Sequence, residues 1–163
     1  MLLLCQMLLL KEPKVNLVAS SLKDTGKEEI DLKLKNTDIE SLSAGEYNRL
    51  RLAMMCLNAK VTHSEGIIVL DEIDANLSGE ESEGVAKILK SLSKNYQIFA
   101  VSHQPHMPIL ADWHYLVCKE RDRGKVELLD KENRALEIAR MISGSEITKE
   151  SLDFAYKKLG QIT

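Results

Sequence analysis

The chain has 163 residues, 44% of them hydrophobic and 29% charged, with a formal net charge of -3. That length allows one domain with a real core, and the composition is that of an ordinary globular protein. The slight acidity excludes a fragment that holds nucleic acid through a dominant basic surface, leaving local Lys/Arg patches or contacts made by other parts of an assembly.

The opening MLLLCQMLLL is apolar, but it has no basic n-region and no small-residue cleavage site, and it is too short to span a bilayer. It reads as a core-packing element or the end of a preceding segment, so no membrane association is expected. Cys5, Cys56 and Cys118 are odd in number, far apart and set among apolar residues. They read as buried thiols of a reducing compartment.

From Lys14 to Lys35 the pattern is strand-like. KVNLVASSL leads to a turn at KDTGKEE, and then Ile30, Leu32 and Leu34 alternate with Asp31, Lys33 and Lys35. An antiparallel hairpin with one wet face is expected. From Ala44 to Ala59 the period changes. Leu50, Ala53, Met54 and Leu57 fall at i, i+3, i+4 and i+7, the apolar stripe of a helix that starts at Ser43.

Ile67 to Leu70 is a continuous aliphatic run, expected to be a strand covered on both faces. Ser78 with Glu81 forms a capping box for a helix that buries Val85, Ile88, Leu89 and Leu92, and QIFAVS (Gln97 to Ser102) reads as a second buried strand. Strand, helix and strand in that order make a parallel βαβ unit, whose ligands sit at the carboxyl ends of the strands. After a turn containing Pro105 and Pro108, WHYLVCKE and KVELLD read as two strands joined at RDRG. Two helices follow, one with the stripe Ala135, Ile138, Ala139 and Ile142 ended by Gly144, the other with Leu152, Ala155, Tyr156 and Leu159 started by Thr148. The expected class is α/β, a largely parallel sheet flanked by helices.

Three places carry chemistry. In GIIVLDEIDANLSG, the adjacent carboxylates Asp71 and Glu72 end a buried strand and Asp74 follows. Carboxylates taken out of water need a positive or protonated neighbour, and at a strand tip an Asp can hold Mg2+ through water while a Glu orients an attacking water. Two solvated carboxylates at a strand exit are the plainer alternative. In LSAGEYNRL, a small-residue turn opens a helix whose free N–H groups suit an anion, although Ser43 to Glu46 is also an ordinary capping box. In VSHQP, His103 follows the second strand, where it can donate to a phosphate oxygen or simply face solvent. His103, His106, His114 and Cys118 also lie close together in sequence, a zinc alternative that lacks the usual tight ligand pairs.

The order LSAGE, IIVLDE, VSH resembles the signature motif, Walker B strand and switch histidine of the ATP-binding-cassette ATPases. Within that class, DEIDANLSG, VSHQPHMPILADWHYLVCKE and RALEIARMISGSEITKESLDFAYKKL resemble the carboxyl-terminal part of the RecN family of DNA-repair proteins, relatives of the SMC chromosome proteins. The resemblance runs from about Lys14 to Leu159. It implies one domain over residues 1–163, the carboxyl-terminal half of an ATPase head: a lead-in at 1–13, the hairpin at 14–35, a signature, Walker B and switch core at 43–131, and terminal helices at 132–163.

The cofactors implied are ATP and Mg2+. By resemblance Asp71 is the magnesium ligand, through water, Glu72 the catalytic base and His103 the sensor of the terminal phosphate. Ser43, Ala44, Gly45 and Glu46 form the signature turn, which contacts ATP held by a second head. No G-x-x-x-x-G-K-[ST] loop occurs in the chain. The implied partners are therefore an amino-terminal half bearing that loop and a coiled coil, a second head in an ATP-dependent dimer, and DNA through the full-length protein. The location implied is the cytoplasm, at the nucleoid, and the chain alone is expected to be inactive. Ala44 stands where the signature usually has Gly, which questions a left-handed backbone there, and Ser78-Gly79 stands where many cassette ATPases have Asp. The reading from another class is a module for protein association without nucleotide.

Overall fold

The computed structural model describes residues 10–23, 26–62, 65–75, 77–120 and 123–160. The opening apolar run through Leu9, with Cys5, lies outside them, as does part of the KDTGKEE turn.

Strands β1 (Pro13–Lys23) and β2 (Gly26–Leu34) pair antiparallel, with Val15 opposite Leu32 and Leu17 opposite Ile30, and the short β3 (Thr37–Asp38) adds to β2. Helix α1 (Ala44–Thr62) follows a single 3-10 turn. Then β4 (Gly66–Asp71), α2 (Gly79–Leu92) and β5 (Tyr96–Val101) form the expected unit, with β4 and β5 parallel. The short α3 (His106–Leu110) leads to the antiparallel pair β6 (Tyr115–Glu120) and β7 (Arg123–Leu128), and α4 (Lys131–Ser143) and α5 (Lys149–Gly160) close the chain.

The α/β class therefore holds, but the sheet is not largely parallel. Among the described residues the strands form three separate sheets, and only β4 and β5 pair in parallel. The reason lies in the connections. Only the β4–β5 link places a helix between two strands that pair with each other, whereas just two residues separate β1 from β2 and β6 from β7, too few for a parallel crossover.

One core gathers Leu50, Leu52, Cys56 and Ala59 of α1, Val85, Ile88 and Leu89 of α2, and Leu34 of β2. A second gathers Ile109 of α3, Ala135, Ile138 and Ala139 of α4, and Ala155 and Leu159 of α5, and Leu110 touches both. The stripe predicted for α1 holds at Leu50, Ala53 and Leu57 but not at Met54, and it extends to residues the stripe did not include. Leu52 is 1% exposed and Met54 45%, because α1 turns Leu52, Cys56 and Ala59 toward α2. Ile142 and Tyr156 also end on the outside, while the rest of the two predicted tail stripes is buried or half-buried. Pro105 and Pro108 bound a helix instead of a plain turn. They occupy the N-cap and first turn of α3, where the missing N–H groups would have had no helical partner.

The expectation of strands covered on both faces fails. In β4 the inward Ile68 is 9% exposed, but the outward Ile67 and Val69 are 68% and 72% exposed, and their partners across the register include Phe99 at 51%. The apolar face of the β1–β2 hairpin is open as well, with Leu17 and Ile30 mostly exposed, although Leu34 is buried. Alternation and apolar runs specify which side chains share a face, while burial needs a covering layer, and within the described residues the core covers the hairpin at Leu32 and Leu34 but not at Leu17 and Ile30.

Candidate functional site

The site is built on the parallel register of β4 and β5. Asp71 lies opposite Val101, so the strands end side by side, with Glu72 one residue past one tip and His103 two residues past the other. All three are exposed. Glu72 has φ 48, the left-handed region that a residue with a Cβ enters rarely. Its N–H donates to Val101 O at 3.1 Å, and its carbonyl accepts from Ala75 N at 3.0 Å, bonds that hold the turn in this shape.

Asp74 is fully buried, and Ser102 Oγ donates to its Oδ2 at 2.5 Å. Its other oxygen has no partner among the described residues. Beside the tip of β4, a shallow cleft of about 160 Å³ opens toward α1, lined by Asn48, Arg51, Leu52, Met55, Val69 and Asp71.

The turn LSAGE starts α1 as a capping box. Glu46 N donates to Ser43 Oγ at 3.3 Å, and Ser43 N donates to Glu46 Oε2 at 3.1 Å. Ala44 has no positive φ, so the helix begins there without needing a glycine. Gly45 does matter sterically: a Cβ would meet Leu77 Cδ2 at 3.3 Å, tighter than most real contacts. The turn thus packs closely on the loop that follows β4.

The start of α2 carries the second capping box, Ser78 with Glu81. Arg49, 6% exposed, reaches from α1 to Glu81 Oε1 at 2.8 Å and joins the two helix starts. The carboxyls of Glu46 and Glu81 are held below the usual carboxylate range, first by the bonds they accept within their own caps and, lower in order, by nearby Arg49.

The structure thus brings Asp71, Glu72 and His103 to one edge and packs the Ser43–Glu46 turn on the loop beside them. It does not gather His103, His106, His114 and Cys118, since no three His, Cys, Asp or Glu side chains among the described residues come together as a metal set. Burial pushes His106 and His114 below the usual histidine value, and Cys118 Sγ sits half-exposed, donating to Lys125 O at 3.7 Å. Sequence reading missed the Arg49–Glu81 link and the Asp74–Ser102 bond. The first had a signal in an arginine on the buried side of an amphipathic helix; the second pairs residues too far apart in sequence for periodicity to reveal.

This α/β arrangement, with strand-end carboxylates and a capped turn beside them, is similar to that of solved SMC ATPase heads. A solved structure described under ATP-driven dimerization and DNA-stimulated activation of SMC ATPases matches with a TM-score of 0.59 and 26% identity, over 82% of this chain and 83% of that one. The SMC head bound to the C-winged helix domain of ScpA matches with a TM-score of 0.65 and 26% identity, over 80% of this chain and 40% of that one. By sequence the chain is RecN-like. The DNA repair protein RecN of Helicobacter pylori is 48% identical over 153 residues, 93% of this chain and 29% of that protein. RecN of Vibrio cholerae is 33% identical over 114 residues, 68% of this chain and 20% of that protein. The chain therefore spans less than a third of the length of these relatives. No family model matches it.

Proposed function

We propose that the chain supplies the carboxyl-terminal half of the ATPase head of a RecN-like protein that acts in recombinational repair of DNA breaks, in the cytoplasm at the nucleoid. The observation that carries this reading is the register of β4 on β5, which aligns Asp71, Glu72 and His103 at one sheet edge. The donor set suits its task. Mg2+ in phosphate chemistry takes one or two carboxylates and keeps phosphate and water oxygens as its other ligands, so one exposed Asp71 fits it. Bound there, the metal would neutralise charge on the transferring phosphoryl group.

Glu72, turned away from the strand by its backbone, is free to orient the attacking water. His103 donates to the terminal phosphate, and the Ser43–Glu46 turn meets ATP carried by a second head. The glycine loop comes from an amino-terminal half, which covers the open outward face of β4 and β5. In that arrangement ATP and Mg2+ join two heads, DNA is engaged by the full-length protein, and this chain without the glycine loop does not turn ATP over.

The test is Glu72→Gln in the assembled head. ATP binding is expected to persist while hydrolysis slows by about 10²- to 10⁴-fold, the usual share of a general base. An equal loss of binding would make Glu72 structural. Turnover by the isolated chain, abolished by Glu72→Gln, would refute the need for a second half.

A further inference from the structure

Asp74 has no role in the chemistry above, yet it is the most deeply buried carboxylate among the described residues, at 0% exposure. A carboxylate withdrawn from water is costly unless its bonds repay it, and the side chain of Asp74 accepts from the hydroxyl of Ser102, at 2.5 Å. Ser102 immediately precedes His103, and its Oγ also accepts from Gln104 N at 2.9 Å. His103 is thus bracketed by two residues that share one hydroxyl. On the other side, Asp74 sits in the turn that begins at Glu72, where Leu77 N donates to Asp74 O at 3.2 Å and Glu72 N reaches Val101 O.

We infer that Asp74 and Ser102 form a strap between the two loops, positioning Glu72 and His103 relative to each other. Building on the ATPase reading, the strap makes the base and the phosphate sensor move as one unit. Neither Asp74 nor Ser102 touches substrate; both act through the residues next to them. The left-handed backbone of Glu72 gives the strap its purpose, since a strained turn persists only when its surroundings over-determine it.

Two measurements test this. In the isolated chain, amide hydrogen exchange of Ser102→Ala is expected to speed up at Glu72, Ala75 and Leu77 as well as at Gln104. A change confined to Gln104 would overturn the strap whether or not the chain serves an ATPase. In the assembled head, Ser102→Ala is expected to lower kcat by about 10- to 100-fold, the scale of a small misplacement of reacting groups, with KM for ATP little changed. Ser102→Thr, which keeps the hydroxyl, restores the rate, and Ser102→Ala with Asp74→Ala is no worse than either alone, as expected of residues in one network. Should Asp74→Ala fail to fold, Asp74→Asn is measured alone: it retains an acceptor for Ser102 and is expected to keep near-normal turnover, and a loss as large as that of Ser102→Ala would count against the strap. A wild-type rate in Ser102→Ala, or no rescue by Ser102→Thr, sinks the inference. No hydrolysis by the assembled parent head sinks the ATPase reading instead, leaving the exchange result to judge the strap alone.

Discussion

Replacing Val69 and Phe99 by Asp is expected to abolish assembly of the head while leaving the chain itself folded. The two side chains lie opposite each other on the outward face of β4 and β5, and they are 72% and 51% exposed. Fully burying such a side chain is worth about 1.5–3 kcal/mol. Covering the exposed half to three-quarters of each is therefore worth about 1–2 kcal/mol per residue when the amino-terminal half docks. An Asp loses that gain and adds an unpaired carboxylate to the interface, at a cost of a few kcal/mol. Together the changes amount to at least about 3 kcal/mol, or more than about 100-fold in affinity. In the chain alone the same positions meet water, so its unfolding free energy is expected to move by only about 0.5 kcal/mol. Co-purification of the two halves, read beside urea denaturation of the isolated chain, checks both sides. Undiminished assembly would show that this face is not the junction; a collapse of the isolated chain would show that the face is already covered within it.

Ser43→Ala removes a helix cap and is expected to cost about 0.5–2 kcal/mol of folding stability, read by denaturant unfolding. If Ser43 also acts across a dimer, heads carrying Ser43→Arg mixed with heads carrying Glu72→Gln, each inactive alone, regain part of their ATPase activity; no recovery with both variants folded and binding ATP reduces Ser43 to a cap. Ile88 of α2, 1% exposed in the core shared with α1, is expected to cost about 2–5 kcal/mol when truncated to Ala, with the midpoint of thermal unfolding as the readout. Glu81 has its folded-state pKa below the ordinary value of 4.5, so the stability it contributes is fully present above that value and is lost as pH falls through the lower folded one. Glu81→Gln should therefore be less stable than the parent at neutral pH, with the gap narrowing as the solution is acidified past 4.5; a gap that stays constant would refute the cap as its source.

The elements and their order were legible in the residues because each rests on local physics. Alternation gave the β1–β2 hairpin, two strand-like runs joined at RDRG gave β6 and β7, S-x-x-E gave the starts of α1 and α2, and Gly144, at φ 79, gave the end of α4. The grouping of Asp71, Glu72 and His103 was legible too, since a strand, helix and strand of ordinary length leave parallel strands with their carboxyl ends together. What only the tertiary structure decided is which faces are covered. An aliphatic run such as Ile67–Leu70 looks the same whether one side or both are buried, and the open face of Val69 and Phe99 is a property of what packs on it. The same holds for Met54 facing out of α1, for Arg49 reaching Glu81, and for Asp74 meeting Ser102. Each depends on where a second element lies in space, and periodicity along one element carries no information about that.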